Sequence, residues 1–506
     1  MRILLVQPKL DPRVASLGRL EPLSLEILAG ALPHHDVRIF DARLEGSLVQ
    51  GLADFQPDIV GVTAMTVEYA EAVRVTRVVK EFSATIPVVV GGNHATLSPA
   101  DYYLPTVDAI VLGLGHHTLR EMVEALEVGN DWTAIPGLAL PTDDGWQKTP
   151  QRDATAGFQD IPRPNRDLTR KYVNNYRPSL RFGKAGVVIS SLGCPARCVF
   201  CSSWVQNCGR YLERDAESLV DEIASMPQKA ILLADDNSLH NVDRAWEICR
   251  LLKARNIRKQ IVAYCRADTI AANPELIKSL AEAGIEGMVV GYEAVSDERL
   301  KALKKGTTVE VNRTAIRVLR EAGIRNAAMF VVSPEFTPTD FAELREFVQR
   351  ERLWTPRFTV MTPEPGTPYF KTNRNNVLIQ PTEDSVYYDF THCVLPTRLD
   401  YMTFFDEYQR LYRTTFSVRR YLREFYSEFV EFIKSGTWPK TERRIFPFSH
   451  LLLAKWRIFS TYRKMKRDYE SLAPANRRPR PAAPPQPPVP AVDSSPPQIV
   501  ALNSAH

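Results

Sequence analysis

Residues Ser191-Leu-Gly-Cys-Pro-Ala-Arg-Cys-Val-Phe-Cys-Ser-Ser-Trp204 carry three cysteines spaced as Cys194-x3-Cys198-x2-Cys201. Thiolates at these gaps on one short loop reach three corners of a cubane iron–sulfur cluster and leave the fourth iron open to a small molecule. A structural zinc site ordinarily takes four ligands, often as two Cys-x2-Cys pairs, and the chain has no second pair. A disulfide framework is disfavoured as well: seven cysteines in 506 residues are sparse, and no secretory segment precedes them. Just upstream, Ala185-Gly-Val-Val-Ile-Ser190 reads as a buried strand. The cysteine loop then falls at a strand's carboxyl end, where β/α barrels build their sites.

With the aromatic Phe200 just before the last cysteine, the motif resembles that of the radical S-adenosylmethionine (SAM) superfamily. The resemblance implies a 4Fe-4S cluster on Cys194, Cys198 and Cys201. It also implies an open iron that chelates the amino and carboxylate groups of SAM, and one-electron cleavage of SAM to a 5′-deoxyadenosyl radical.

A chain of 506 residues exceeds one core and predicts two or three domains. Its 44% hydrophobic and 24% charged content is that of an ordinary soluble protein, and a net charge of +5 gives no reason to expect nucleic acid. No apolar run approaches the roughly 20 residues that span a bilayer. Sparse thiols fit a reducing cytoplasm.

Residues 1–141 alternate short β-branched segments (2–7, 37–41, 58–63, 87–91 and 108–113) with amphipathic ones, which predicts a parallel sheet covered by helices on both faces. The ligand crevice of such a sheet lies beyond the strands' carboxyl ends, here marked by Thr63, Gly91-Gly92-Asn93-His94 and Gly113. Gly113-x-Gly115 lacks the third glycine of a dinucleotide fingerprint. Ahead of a cysteine loop of this kind, the domain resembles the cobalamin-binding domain of B12-dependent radical SAM enzymes. The resemblance implies that Thr63, Gly91, Gly92, His94 and Gly113 contact cobalamin. The Asp-x-His-x-x-Gly motif that supplies a histidine to cobalt is absent, so cobalamin is expected without one. For His94, contact with the corrin and plain helix capping both stand open.

Residues 142–172 are polar and proline-interrupted and read as a linker. Residues 173–372 resume the alternation, with strands expected at 187–190, 230–234, 260–264, 287–291, 327–332 and 357–361 and helices between them. Six such units predict a partial (β/α)6 barrel with a lateral mouth suited to a large substrate. Polar residues at its strand ends include Asp235, Asp236, Arg266 and Glu293. Carboxylates and a guanidinium on one rim can hold an aminoacyl group and a ribose diol. By resemblance to the superfamily, Gly291-x-Glu293 contacts ribose and Arg266 the SAM carboxylate. The usual Gly-Gly-Glu after the second strand is replaced by Ala234-Asp-Asp-Asn237, as in relatives with a cobalamin domain. Cys249 and Cys265 read as small buried hydrophobes, whereas Cys208 and Cys393 are candidates to reach the reaction chamber as catalytic thiols.

Residues 373–472 are aromatic and helical in pattern, and 449–467 mix Leu, Trp and Phe with Lys and Arg. That segment either lies on an anionic membrane or packs on the barrel with its basic side in water. Residues 473–506 are proline-rich and expected to be disordered. A corrin domain ahead of a radical barrel implies methyl transfer, through methylcobalamin, to a carbon without an acidic proton. The layout, with Phe390-Thr-His-Cys-Val-Leu-Pro-Thr397, most resembles the hopanoid C-3 methylases, which implies a lipid or polycyclic small-molecule substrate and a reductant such as flavodoxin or ferredoxin. The expected location is the cytoplasm, with contact at most peripheral to the inner membrane. The rivals are a cyclase, or a methylase of another natural product or tetrapyrrole, using the same cofactors, and a non-catalytic corrinoid and iron–sulfur module.

Overall fold

The computed structural model describes residues 1–14, 18–152, 158–177, 184–436 and 448–476. The N-terminal domain is built on seven strands: β1 (Arg2–Gln7), β2 (Asp36–Asp41), β3 (Ile59–Thr63), β4 (Val88–Gly91), β5 (Ala109–Val111), β6 (Leu138–Thr142) and β7 (Gly145–Lys148), in the order β2-β1-β3-β4-β5-β6-β7. The first five are parallel, and their Val, Ile and Leu side chains are buried on both faces, each face packing its own apolar cluster. The last two differ from expectation. They form an antiparallel hairpin on β5, and β7 lies inside the stretch read as linker. The reason is the turn: Asp143-Asp144-Gly145, with Gly145 at φ +118°, closes a hairpin where sheer polarity suggested a tether.

The barrel strands are β8 (Ala185–Val188), β11 (Ala230–Leu233), β12 (Gln260–Arg266), β13 (Ile285–Glu293), β14 (Arg325–Val332) and β15 (Arg357–Val360). A two-residue ribbon, β9 (Ser191–Leu192) with β10 (Leu212–Glu213), brackets the cysteine loop. The six barrel strands are all parallel in the order β15-β14-β13-β12-β11-β8, so the sheet curls as a half barrel with β8 and β15 as its two edges. The helices between the strands carry their own start and stop residues. Thr308 caps Val309–Ala322, which stops at Gly323 with φ +76°, and Thr337 with Asp340 forms a capping box for Pro338–Arg350.

Side chains block both sheet edges. On β8 the Val187 N–H donates to Glu21 at 2.6 Å and its carbonyl accepts from Arg166 at 2.7 Å. Arg166 also reaches Glu26 and Glu222, joining the N-terminal domain to the barrel. On β15 the Phe358 carbonyl accepts from the Tyr408 and Tyr412 hydroxyls, each at 2.8 Å, and the Val360 N–H donates to the Phe390 carbonyl. An edge so occupied offers no template for another strand.

The helices Tyr401–Thr415 and Phe448–Asn476 pack on the barrel. The last helix divides the segment 449–467: Met465 and, beyond it, Tyr469 and Leu472 join the main core, while Leu452 and Trp456 are exposed. The helix continues to Asn476, past the expected 472, and residues 477–506, read as a disordered tail, lie outside the described residues.

Candidate functional site

The carboxyl ends of the two sheets face each other. Beyond β3, the Thr66 hydroxyl donates to Glu364 beyond β15 at 2.7 Å. Beyond β4, Asn93 donates to Gln206, which follows the cysteine loop, at 2.9 Å. Any ligand of either crevice therefore sits within reach of the other.

Two carboxylates hold the cysteine loop from behind. Asp235, buried, accepts from the Ser190 N–H at 2.6 Å, the Ser191 N–H at 3.0 Å and the Ser190 hydroxyl at 2.5 Å. Asp236 accepts from the Gly193 N–H at 2.8 Å. Gly193 has φ +80°, and a Cβ there would lie 2.2 Å from the Arg210 carbonyl oxygen, so the entry to the loop requires glycine. Both oxygens of Asp235, expected on SAM, are taken up by Ser190 and Ser191, whereas Asp236, also expected there, is exposed and gives one oxygen to the loop backbone. Further on, the Val199 N–H donates to the Leu303 carbonyl at 3.1 Å and the Val199 carbonyl accepts from the Tyr369 N–H at 3.0 Å. The loop is thus stitched to two barrel segments.

Cys198 is buried, and Cys194 and Cys201 are half-buried. Burial pushes the Cys194 and Cys198 thiols above their ordinary range, and the Arg266 and Lys305 cations pull them back. Among the described residues no three His, Cys, Asp or Glu side chains are close enough to hold a single metal ion. A cubane, wider than one ion, holds its thiolates further apart. Three free thiols on one pinned loop with two cations behind them are a donor set suited to an anionic iron–sulfur cluster.

Arg266 forms a fork with Asp268, 2.7 Å at its shortest, and donates to the Lys305 carbonyl at 2.8 Å. Glu293, with φ +65°, pairs with Lys305 at 2.9 Å, and both are buried. A Cβ on Gly291 would lie 2.1 Å from that carboxylate and 2.9 Å from the lysine, so the glycine of Gly291-x-Glu293 makes room for the pair. Sequence reasoning missed Lys305; its only signal was Lys304-Lys305-Gly306 after a short helix.

In the N-terminal crevice Gly92, at φ +98°, packs on Thr63 and Ala64, while a Cβ on Gly113 would meet nothing within 4 Å. Gly91 lies against Val111. Met65 and Leu114 expose apolar side chains at this edge, a surface a flat corrin can cover. His94 departs from both roles open to it. It has no exposed surface, its Nδ1 is 3.2 Å from the Thr66 hydroxyl and its Nε2 3.1 Å from Asp101, and the helix Asn93–Leu97 has no side-chain cap. The rings of Tyr69 and Tyr102 pack edge-on against it.

The two cysteines expected as candidate catalytic thiols lie apart from this cluster of groups. Cys208 is exposed, with Gln151 at 3.6 Å, and Cys393 is buried, donates to the Leu395 carbonyl and has a thiol pushed up to about 12 by desolvation. A cavity of about 570 Å³ opens beside the loop instead. Val199, Ala294, Leu303, Val331, Met361 and Tyr369 give it apolar walls, and Arg299, Glu335, Asn373 and Asn376 add polar groups.

The Radical SAM superfamily matches over residues 188–348 and the B12 binding domain over residues 13–123. An uncharacterized methyltransferase of Pyrococcus horikoshii is 30% identical over 75% of this chain and 84% of its own. The hopanoid C-3 methylase of Methylococcus capsulatus is 28% identical over 77% of this chain and 75% of its own. The anaerobic magnesium-protoporphyrin IX monomethyl ester cyclase of Rubrivivax gelatinosus is 28% identical over 84% of this chain and 79% of its own. The fold is similar to that of the radical S-adenosylmethionine methyltransferase TsrM from Kitasatospora setae, solved with cobalamin and a 4Fe-4S cluster (TM-score 0.61, 21% identity, 74% of this chain and 78% of that one). The chain belongs to the radical SAM superfamily, in the group that carries a B12-binding domain. It is an enzyme of the cobalamin-dependent radical SAM methyltransferase family and not a non-catalytic module; its cofactors are a 4Fe-4S cluster, SAM and cobalamin.

Proposed function

We propose that this enzyme methylates an unactivated carbon of a flat, apolar polycycle, with C-3 in ring A of a hopanoid lipid as the particular position. The observation that carries the reading is the cavity beside the cluster loop, whose volume of about 570 Å³ and largely apolar walls suit a rigid ring system. Similarity to a hopanoid C-3 methylase over 77% of the chain supports the substrate.

When bound, the cofactors supply the chemistry: SAM on the cluster the radical that removes a hydrogen, and cobalamin the methyl group that replaces it. The chain's own residues bind, orient and exclude. Cys194, Cys198 and Cys201 would hold the cluster on a loop kept rigid by Asp235 and Asp236. Arg266 and Lys305 would receive the SAM carboxylate, and Glu293, with one oxygen on Lys305, would offer the other to a ribose hydroxyl. Met65, Leu114, Gly92 and Gly113 would face the corrin. Val331, Met361 and Tyr369 keep water from the chamber, while Arg299 and Asn376 orient a polar substituent. The electron comes from a reductant such as flavodoxin or ferredoxin.

Deleting the gene from a hopanoid-making host and comparing lipid extracts tests the substrate; unchanged methylhopanoids would refute it. The cyclase similarity, over 84% of the chain, favours a second reading, ring closure on a tetrapyrrole. Counting products of the reduced enzyme separates the two. A methylase releases S-adenosylhomocysteine beside 5′-deoxyadenosine, and a cyclase only the latter.

A further inference from the structure

The helix Val418–Ser435 is inside out. Its buried positions are Arg420, Tyr421, Glu424 and Glu428, whereas Leu422 (56% exposed), Tyr426 (68%) and Ile433 (66%) face outward beside the half-exposed Phe425 and Phe429. Steps of three and four residues place these five side chains on one stripe. The polar side is tied in place. Arg420 pairs with Glu424 at 2.8 Å, donates to the Leu353 carbonyl at 2.9 Å and lies over the Trp354 ring, whose Nε1 donates to Glu424 at 2.7 Å. This network fixes the helix's rotation, so the apolar stripe is held outward. Beside it, Leu451 of the last helix is buried with Trp354, Phe416 and Tyr421, which leaves Leu452 (51%) and Trp456 (65%) exposed.

Charge selects the occupant. Residues 418–467 contain thirteen Lys and Arg against four Glu, more positive charge than the net +5 of the whole chain, so the rest of the protein is net negative. Glu424 and Glu428 are buried, as is Arg420, and among the described residues of the segment Arg419, Arg423, Lys434, Lys455, Arg463 and Arg467 are exposed, with Glu431 as the exposed acid. A second copy of so basic a surface would be repelled. Anionic headgroups would neutralise it, while Leu422, Ile433 and Leu452 enter the acyl boundary and Trp456 and Tyr426 sit at the headgroup level. We propose that this face docks the enzyme, in plane, on an anionic membrane surface. No described helix is long and apolar enough to cross one. Docking does not depend on which polycycle is methylated.

The test uses the full chain loaded with cluster and cobalamin, and vesicles of phosphatidylcholine alone or with about one third phosphatidylglycerol. The protein should sediment with the anionic vesicles, and salt should release it, with roughly a fivefold loss of affinity for each basic residue neutralised. L422D/I433D should lower binding by about tenfold or more while circular dichroism and cobalamin content stay unchanged, since both sites are exposed. Wild-type protein left in the supernatant would overturn the proposal, as would a double variant that binds like wild type. Equal binding to neutral vesicles would remove the headgroup requirement. A solution dimer that the double variant dissolves would reassign the stripe to contact between copies.

Discussion

Lys305 Nζ stands 2.9 Å from Glu293 Oε1 in a buried pair beside the cluster loop, where Glu293 takes a left-handed backbone conformation uncommon for a side chain of its size. Burial pushes the Lys305 ammonium down, yet Glu293 and the neighbouring Cys198 hold it above the usual lysine value. Removing one partner of such a pair strands the other. Lys305→Met is expected to lose about 3–5 kcal/mol in denaturant unfolding and to weaken SAM binding, read by equilibrium dialysis, about tenfold or more. The double variant with Glu293→Gln should regain much of the stability without regaining SAM. Recovery of both would show that the lysine serves the fold alone.

Asp235 accepts three hydrogen bonds from Ser190 and Ser191, so its loss should free the start of the cysteine loop. Asp235→Ala leaves three buried donors unsatisfied and is expected to cost about 2–5 kcal/mol. Iron and sulfide after anaerobic reconstitution should fall well below that of the parent, while cobalamin, held in the other domain, remains. Cys198→Ala should abolish cluster absorbance and SAM cleavage alike. An Asp235→Ala protein with full iron content would show that the clamp is dispensable.

These two residues show what one-dimensional information carries. The fold class was legible because its determinants are local: β-branched runs, capping residues and the spacing of Cys194, Cys198 and Cys201. Strand-end position also marked Asp235, Asp236, Arg266 and Glu293. Direction was not legible, because whether a carboxylate at a strand end aims into the crevice or back at its own loop depends on backbone groups such as the Ser190 N–H, set by the neighbouring strand. Lys305 was hidden for a related reason. It follows Glu293 by twelve residues, across a helix, and meets it in room that Gly291 leaves open. His94, for which corrin contact and helix capping stood open, is instead packed against Tyr69 and Tyr102, with ring centroids 5.2 and 5.7 Å away.

Glu364 gives a pH dependence opposite to that of most carboxylates. Burial raises its carboxyl to about 7, with the Thr66 hydroxyl as a modest counterweight. Between the ordinary glutamate value and about 7, the folded chain keeps a proton that the unfolded chain has lost, so stability falls as pH rises through that window and levels off above it. Glu364→Gln keeps the neutral shape and drops the titration. The variant should gain on wild type between pH 5 and pH 8 by up to about 3 kcal/mol, measured by urea unfolding. A constant difference between the two would mean that this carboxyl does not titrate in the window.

His392 acts with the sign of a stabilised cation. It lies between Asp389, 3.0 Å from its Nδ1, and Asp468 of the last helix, 3.4 Å from its Nε2, stacked on Tyr469. Burial pulls its pKa down, but the two carboxylates outweigh burial and hold it at about 9. The stabilisation is therefore complete below the ordinary histidine value near 6.5 and is lost as pH climbs through about 9, up to about 3 kcal/mol in all. Because Asp468 lies on Phe448–Asn476, the loss should loosen that helix first, which hydrogen exchange on its backbone can follow. His392→Gln should melt below wild type at pH 6 and converge with it near pH 10. A gap that stays equal at both pH values would assign the effect to packing against Tyr387 and Tyr469 and not to charge.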